Sequence, residues 1–151
     1  MIIHTKNLVL LPLSVETAAA IIAGDLSSLK VGDGWPHADT LDGIGGVAHG
    51  SEAWLVTLDG VVIGDCGTHG PADEAGEIEI GYGIASPYRG SGYGNEIAAS
   101  LSRYLMERGD VTRVVANEVL AINIPSRRAL ENAGFEIVNE LDDLVWYRLT
   151  K

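Results

Sequence analysis

The sequence predicts a mixed α/β fold in which helices cover both faces of a central, mostly antiparallel, twisted sheet of about seven strands. The chain has 151 residues, enough for one domain with a substantial core. Its residues are 46% hydrophobic and 21% charged, the balance of a globular protein. Segments with strand and helix patterns alternate in the order β-α-(α)-β-β-β-α-β-α-β-β. We therefore treat residues 1–151 as a single domain.

Seven segments are predicted to be strands because they are apolar or β-branched and are bounded by turn residues. They are Leu8–Leu13, Ala53–Leu58, Val61–Thr68, Glu77–Ala85, Val111–Leu120, Phe135–Glu140 and Leu144–Leu149. The dipeptide Asp59-Gly60, between the second and third of them, is a strong signal for a tight hairpin turn.

Three segments are predicted to be helices, and a short fourth helix is predicted near Thr40 within the glycine-rich residues 31–50. Ser14 is a suitable N-cap for the first helix and Gly24 ends it. Apolar residues recur on one face of the second, long helix. The three helices are Val15–Ala23, Tyr93–Arg108 and Pro125–Ala133.

Charge and composition limit the partners of the protein. The formal net charge of −11 argues against nucleic acid, whose phosphates would be repelled, and is compatible with a cationic partner. No apolar run approaches the ~20 residues that span a membrane, and the start of the chain lacks the zones of a signal peptide. The single cysteine, Cys66, fits a reducing compartment and is expected to be a small buried residue. We therefore expect a cytoplasmic protein, with no membrane partner and, from the spacing of its four histidines, no metal.

Residues 86–96, SPYRGSGYGNE, place three glycines between a predicted strand and the long helix. A Walker loop would end in Gly-Lys-Ser/Thr, and a dinucleotide fingerprint would need glycine at Asn95, so neither pattern fits. Successive N–H groups in the loop can point at one pyrophosphate, helped by the positive end of the helix dipole. The predicted pyrophosphate-binding residues are Arg89, Gly90, Ser91, Gly92, Tyr93 and Gly94.

The loop and three other segments resemble the GNAT superfamily of acyl-CoA-dependent N-acyltransferases. Glu79-Ile80-Gly81-Tyr82 resembles the strand before the loop, and Leu8–Leu13 resembles the opening strand. Asn123-Ile124-Pro125-Ser126, followed by Gly134-Phe135, matches the N-x-x-S … G-F segment of that superfamily. The resemblance covers residues 5–150. The Asn-x-x-Ser form, with Leu130 where many relatives carry tyrosine, looks most like the branch that acetylates ribosomal-protein N-termini.

The resemblance implies transfer of an acetyl group from acetyl-CoA to a primary amine of a small molecule or peptide. The reaction would take place in a V-shaped gap between the predicted fourth and fifth strands. The pantetheine arm of coenzyme A would pair with the fourth strand at Ile84 and Ala85. Asn123 would bind the cofactor or fix the start of the last helix. Homodimers are common among proteins of this resemblance, so a homodimer is a further expectation.

Candidate catalytic residues follow from the chemistry. An amine attacks a thioester only when neutral, so a base is needed. Glu118 and Glu79 match positions where enzymes of the resembled superfamily carry a base. Glu118 is favoured because it would lie inside the gap, Glu79 is second, and Glu77, on the same strand face as Glu79, is a weaker third. The alternative for each glutamate is a solvated strand residue. Ser126 is the candidate acid in place of the missing tyrosine, its alternative being a helix-start residue.

The resemblance also implies that the glycine-rich loop between the first two helices faces the acceptor pocket. Trp35 and His37 of this loop are therefore candidate substrate contacts, and Trp35 could instead cover the edge of the core. Two other functions remain open at this stage. One is a catalytically silent module that senses acyl-CoA, and the weaker one is a nucleotide-binding protein.

Overall fold

Eight strands form one sheet in the computed structural model, which describes residues 1–151. The strands are β1 (Ile3–His4), β2 (Val9–Pro12), β3 (Ala53–Leu58), β4 (Val61–Thr68), β5 (Glu77–Ile84), β6 (Arg113–Leu120), β7 (Glu136–Leu141) and β8 (Leu144–Thr150). Their order across the sheet is β1-β2-β3-β4-β5-β6-β8-β7. All neighbours are antiparallel except β5 and β6, which are parallel. The seven predicted strands are confirmed, and β1 was not predicted because two residues carry no periodic pattern.

The predicted helices are also present, with ends that differ by one or two residues. They are α1 (Val15–Ile22), α2 (Thr40–Gly45), α3 (Tyr93–Met106) and α4 (Ile124–Asn132), with short 3-10 turns at Gly46–His49 and Ser86–Tyr88. The Ser14 hydroxyl accepts a hydrogen bond from the Thr17 N–H at 3.1 Å, which confirms the predicted cap of α1. None of the helices has the length and apolar content of a membrane span.

Strand alternation divides the core into two clusters, one on each face of the sheet. In β3, Trp54 and Val56 belong to one cluster, and Ala53 and Leu55 belong to the other. The predicted arrangement of helices on both faces is therefore confirmed. The first cluster takes Ile97, Leu101 and Leu105 from α3 and Leu130 from α4; the second takes Ala18 and Ile21 from α1 and Ile44 from α2.

Cys66 lies in the first cluster, as its predicted packing role requires. Its side chain is buried, and this burial raises the pKa of the thiol far above its ordinary range. The thiolate needed for nucleophilic chemistry is therefore not formed near neutral pH.

The strands β5 and β6 separate after a short paired stretch. Pairing covers only Glu77 with Arg113, Ile78 with Val114 and Glu79 with Val115. Beyond these pairs, β5 stays paired with β4, and β6 stays paired with β8. The gap between β5 and β6 beyond the Glu79–Val115 pair is called the fork below. It is the V-shaped gap that was predicted between the fourth and fifth predicted strands.

Candidate functional site

The edge of β5 that faces the fork has free main-chain groups. The Glu79 carbonyl accepts from the His69 N–H, and the Ala85 N–H donates to the Ile63 carbonyl, so these residues direct their groups toward β4. Because main-chain groups alternate in direction along a strand, the N–H and carbonyl groups of Tyr82 and Ile84 point toward the fork. The Ile84 carbonyl is used by the Arg89 guanidinium, whose Nε donates to it at 2.9 Å. The remaining groups can pair with an extended ligand.

Ala85 does not share this position, although it was predicted with Ile84 to bind the cofactor. Its N–H donates to the Ile63 carbonyl and its carbonyl accepts from the Tyr88 N–H, so both main-chain groups are used within the protein. Its side chain is fully buried in the second cluster. The structure therefore makes Ala85 a packing residue at the end of β5.

The predicted pyrophosphate loop presents unpaired N–H groups. The N–H groups of residues 90–95 donate to no acceptor in the protein, and α3 has no side-chain cap. Gly90 and Gly92 have φ of 89° and 83°, the left-handed region that favours glycine. A Cβ at either position would have nothing within 4 Å, so glycine is required there by conformation. These amides, at the N-terminus of a 14-residue helix, form a cradle suited to an anion.

The start of α4 closes the other side of the fork. The Asn123 side chain accepts from the Ser126 N–H at 3.3 Å and so caps α4. The Tyr82 hydroxyl donates to the Ser126 carbonyl at 3.4 Å, which places its ring between β5 and α4. A Cβ at Gly94 would lie 3.8 Å from Tyr82 Cε2, so the ring also borders the anion cradle. The sequence analysis gave Tyr82 no role, because its strand motif does not show where the side chain reaches.

Burial raises the pKa of Tyr82, and its hydrogen bond to Ser126 opposes this shift only in part. The phenol therefore keeps its proton through neutral pH. A protonated hydroxyl at the fork is able to donate a hydrogen bond to a ligand atom placed there.

The predicted bases stand on both strands of the fork. Glu79 is half-buried at the last β5–β6 pair. Glu118 lies three positions further along β6, in a bulge opposite β8, with φ of 54° and an exposed side chain that makes no hydrogen bond. Glu77, the weaker third choice, is held in an ion pair with Arg113 at 2.7 Å.

A cavity of about 280 Å³ borders the same part of β5 on the face of the sheet that carries α2. It holds three carboxylates and two imidazoles, and neither lysine nor arginine lines it. We call it the acidic cavity. Its lining residues are His37, Asp39, Asp42, Gly43, Asp65, Cys66, Gly67, Thr68, His69, Gly81, Tyr82 and Gly83.

Two glycines of β5 make room for the two imidazoles of the acidic cavity. A Cβ at Gly83 would lie 2.8 Å from His37 Cε1, and a Cβ at Gly81 would lie 2.8 Å from His69 Nε2. Neither glycine has a positive φ. Space, and not backbone conformation, is therefore the reason for glycine at these positions.

Asp65 lies at the buried floor of the acidic cavity, with a side chain that is 9% exposed. Its Oδ2 accepts from Trp35 Nε1 at 2.9 Å and from the Thr40 hydroxyl at 2.8 Å. His37 Nε2 lies 3.5 Å from the same oxygen and is buried without a hydrogen bond.

The two predicted substrate contacts therefore differ. His37 lines the acidic cavity, whereas Trp35 is 4% exposed, does not line it, and packs in the second cluster. Trp35 is therefore a core residue, the alternative to the predicted substrate contact. It also donates the hydrogen bond that holds Asp65.

The sequence analysis missed Asp39, Asp42, Asp65 and His69 as members of this site. One signal was present, because Asp65 interrupts the buried segment Val61–Thr68, where an unpaired charge would be costly. No local pattern connects it with a tryptophan and a threonine 30 and 25 positions earlier.

Comparison with known proteins gives consistent matches. A family model described as "Acetyltransferase (GNAT) domain" matches residues 8–136. The uncharacterized N-acetyltransferase YjdG of Bacillus subtilis (strain 168) is 29% identical over 112 residues. That match covers 67% of this chain and 66% of the relative, so the chain spans slightly less than two thirds of its length.

Two solved structures share the fold. The acetyltransferase from Agrobacterium tumefaciens str. C58 has a TM-score of 0.68 at 24% identity, over 100% of this chain and 95% of its own. RimL, a ribosomal L7/L12 alpha-N-protein acetyltransferase solved in complex with coenzyme A, has a TM-score of 0.74 at 15% identity. The match covers 99% of this chain and 98% of the RimL chain.

Proposed function

This chain belongs to the GNAT acetyltransferase family, and we propose that it is an N-acetyltransferase that transfers an acetyl group from acetyl-CoA to a primary amine. The observation that carries the proposal is the arrangement around β5. An anion cradle and an acidic cavity, suited to ligands of opposite charge, both border the strand where it leaves β6. A transferase for an anionic donor and a cationic acceptor needs these two sites to meet.

The residues of the cradle side fit a coenzyme A ester. The unpaired N–H groups of residues 90–95 would hold the diphosphate, and the main-chain groups of Tyr82 and the N–H of Ile84 would pair with the pantetheine amides. RimL, which shares the fold, was solved with coenzyme A. When bound, acetyl-CoA supplies an electrophilic carbonyl carbon and a sulfur leaving group.

The acidic cavity fits the acceptor. An aliphatic amine is an ammonium ion near neutral pH, and three carboxylates in a cavity without lysine or arginine attract such a cation. The ammonium has to lose a proton before its nitrogen can attack. Glu118 and Glu79, on the two strands of the fork, are the carboxylates that we predicted from the sequence for this step.

Two hydroxyl groups border the fork on the opposite face of β5. Ser126, predicted as the acid, is half-buried at the start of α4, and the Tyr82 phenol reaches its carbonyl. We propose that these hydroxyls hold the proton that the departing sulfur requires. Tyr82 would then supply the hydroxyl that is missing at Leu130, the position at which many relatives carry tyrosine. Leu130 itself is buried in the first cluster.

The test is release of free thiol from acetyl-CoA in the presence of a panel of amines. The panel contains monoamines, diamines, amino acids and peptides with free N-termini, and mass spectrometry identifies the amide product. We expect thiol and amide in equal amounts with at least one primary amine. A quaternary ammonium compound serves as the control, because it binds as a cation and cannot be acetylated on nitrogen. Acetyl-CoA binding without thiol release across the panel would instead support a sensing module.

A further inference from the structure

His37 and Asp65 form an imidazole–carboxylate pair at the floor of the acidic cavity, beside the fork. We propose that His37 takes the proton from the acceptor ammonium and that Asp65 is its positioning residue. This inference rests on the proposed function and assigns the proton acceptor, for which the sequence favoured Glu118.

Asp65 is held in one orientation. Its Oδ2 receives the indole N–H of Trp35 and the hydroxyl of Thr40, two donors from the segment before α2 and from its first turn. The Thr40 hydroxyl in turn accepts from the His37 N–H at 3.1 Å. The carboxylate and the backbone of the histidine are therefore tied together through one side chain.

The imidazole is fixed between this carboxylate and β5. The Cε1–Nε2 edge of the ring lies over Gly83, where an added Cβ would come within 3.0 Å of both atoms. Nε2 is buried and lies 3.5 Å from Asp65 Oδ2 without a hydrogen bond. Because an unpaired buried N–H is costly, a small movement of the ring toward Oδ2 is favourable when Nε2 carries the proton.

This tautomer leaves the lone pair on Nδ1, which makes no hydrogen bond within the protein. The proposed step breaks one N–H bond of the acceptor ammonium and forms an N–H bond at His37 Nδ1. The electron pair stays on the amine nitrogen, and the resulting imidazolium lies beside the Asp65 carboxylate, which stabilises it. The proton then passes to water at the mouth of the cavity.

The other charged groups around His37 favour the same assignment. Asp39 and Asp42, exposed at the rim near α2, attract a cationic acceptor to the cavity that His37 lines. His69 lies over Gly81 in the same cavity, is exposed, and has no carboxylate within 4.0 Å. Glu118 is exposed on β6 and does not line the cavity. Of these groups, His37 alone combines burial, a positioned carboxylate and contact with the fork segment of β5.

The test uses the variants His37→Gln and Asp65→Asn, with His4→Gln on β1 as the matched control. The ¹⁵N NMR shifts of the histidines in the protein without ligand give a readout that does not depend on turnover, because they report which ring nitrogen carries the proton. We expect the neutral His37 ring to carry its proton on Nε2 in the wild type, and Asp65→Asn to reduce the population of this tautomer while His4 is unchanged, since a neutral amide is a weaker acceptor than a carboxylate.

Kinetics with an amine that the wild type acetylates give the second readout. We expect His37→Gln to lower kcat by about 10²- to 10⁴-fold and to remove the loss of rate at low pH, with coenzyme A affinity unchanged. His4→Gln should match the wild type in both measurements.

Two results would overturn the assignment: a His37 tautomer population that is the same in Asp65→Asn, or a kcat and pH profile that His37→Gln leaves intact. If Glu118→Gln, and not His37→Gln, removed the fall in rate at low pH, Glu118 would be the proton acceptor. If Asp65→Asn does not fold, the pH profile of His37→Gln decides. A wild type that acetylates no amine contradicts the proposed function itself, and the ¹⁵N shifts of His37 still show whether the pair exists.

Discussion

The two sides of β5 use glycine for opposite reasons. In the anion cradle, Gly90 and Gly92 have positive φ and open space around them. In the acidic cavity, Gly81 and Gly83 have ordinary strand conformations, and imidazoles occupy the space that a Cβ would need. The cradle is thus a site made of main chain, and the cavity is a site made of side chains. A substitution of glycine should therefore affect a different ligand on each side.

Of the variants that test this contrast, Gly83→Ala is expected to have the largest effect. The added Cβ would lie 2.8 Å from His37 Cε1, so the imidazole has to leave its position on β5. Misplacing a reacting group by about 1 Å can cost about 10²-fold in rate, and we expect a loss of this size in kcat with unchanged coenzyme A affinity. Steady-state kinetics and calorimetric titration with coenzyme A measure the two quantities.

Gly109→Ala is the control for this variant, since a Cβ there has nothing within 4 Å and the φ of Gly109 is ordinary. A normal kcat in Gly83→Ala would show that the position of His37 is unimportant for turnover.

The second effect concerns the cradle, where Gly92→Val and Gly92→Asn form a matched pair. A non-glycine residue at φ of 83° pays about 1–3 kcal/mol, and asparagine enters this region more readily than valine. We expect Gly92→Val to weaken coenzyme A binding by about 10- to 100-fold, and Gly92→Asn by clearly less. Calorimetric titration measures both, after thermal unfolding has shown that both variants fold. Equal affinities for the two variants would mean that backbone conformation does not control the cradle.

The same contrast explains what the sequence could predict. The elements of the cradle are consecutive in the chain: a strand, a loop with Gly90 and Gly92, and a helix start that contains Gly94. Turn and cap chemistry act over a few residues, so the bounds of β3 and β4, the Asp59-Gly60 hairpin between them and the start of α3 at Tyr93 were predicted correctly. The ends of the other predicted strands differ from the observed ones by one or two residues.

The acidic cavity depends on contacts between distant segments. Asp65 of β4 meets Trp35 and Thr40 only because the loop before α2 folds back over the sheet. The register of β4 on β5, which places Asp65 opposite Gly83, is likewise a tertiary result. The resemblance therefore suggested His37, through the position of its loop, and left the carboxylates of the same cavity unassigned.

A smaller effect is expected from Tyr82→Phe, which removes the hydroxyl at Ser126 and keeps the ring beside Gly94. If this hydroxyl holds the proton for the departing sulfur, kcat should fall by about tenfold while coenzyme A affinity stays the same. Tyr104→Phe is the control, because its ring packs edge-on against Trp54 at 5.6 Å, away from the fork.

The double variant Tyr82→Phe/Ser126→Ala sharpens this test. Groups that serve one step give less than additive losses when both are removed. Additive losses in kcat would show that the two hydroxyls act independently.

The smallest effect is expected at Glu96, which stabilises the start of α3 and has no proposed part in the reaction. Glu96, in the first turn of α3, accepts hydrogen bonds from the Thr5 hydroxyl at 2.6 Å and from the Asn7 N–H and side-chain amide at 2.8 and 2.7 Å. Partial burial acts to raise the pKa of Glu96, but the hydrogen bonds from Thr5 and Asn7 outweigh it, and the pKa is lowered. A lowered folded-state pKa means that the carboxylate stabilises the fold above its ordinary pKa near 4.5, and that this contribution is lost as pH falls through the lowered value.

Glu96→Gln should therefore reduce the free energy of unfolding by roughly 1 kcal/mol at pH 7, and the difference from wild type should shrink as pH falls below about 4.5. Urea unfolding at several pH values measures it. Glu107→Gln, at the other end of α3, makes no side-chain hydrogen bond in the wild type and should show no such dependence. Because the amides of residues 90–95 stay in place in the folded variant, Glu96→Gln should bind coenzyme A normally. If the variant lost more free energy of coenzyme A binding than free energy of unfolding, the hydrogen bonds between Glu96 and Asn7 would also set the geometry of the cradle.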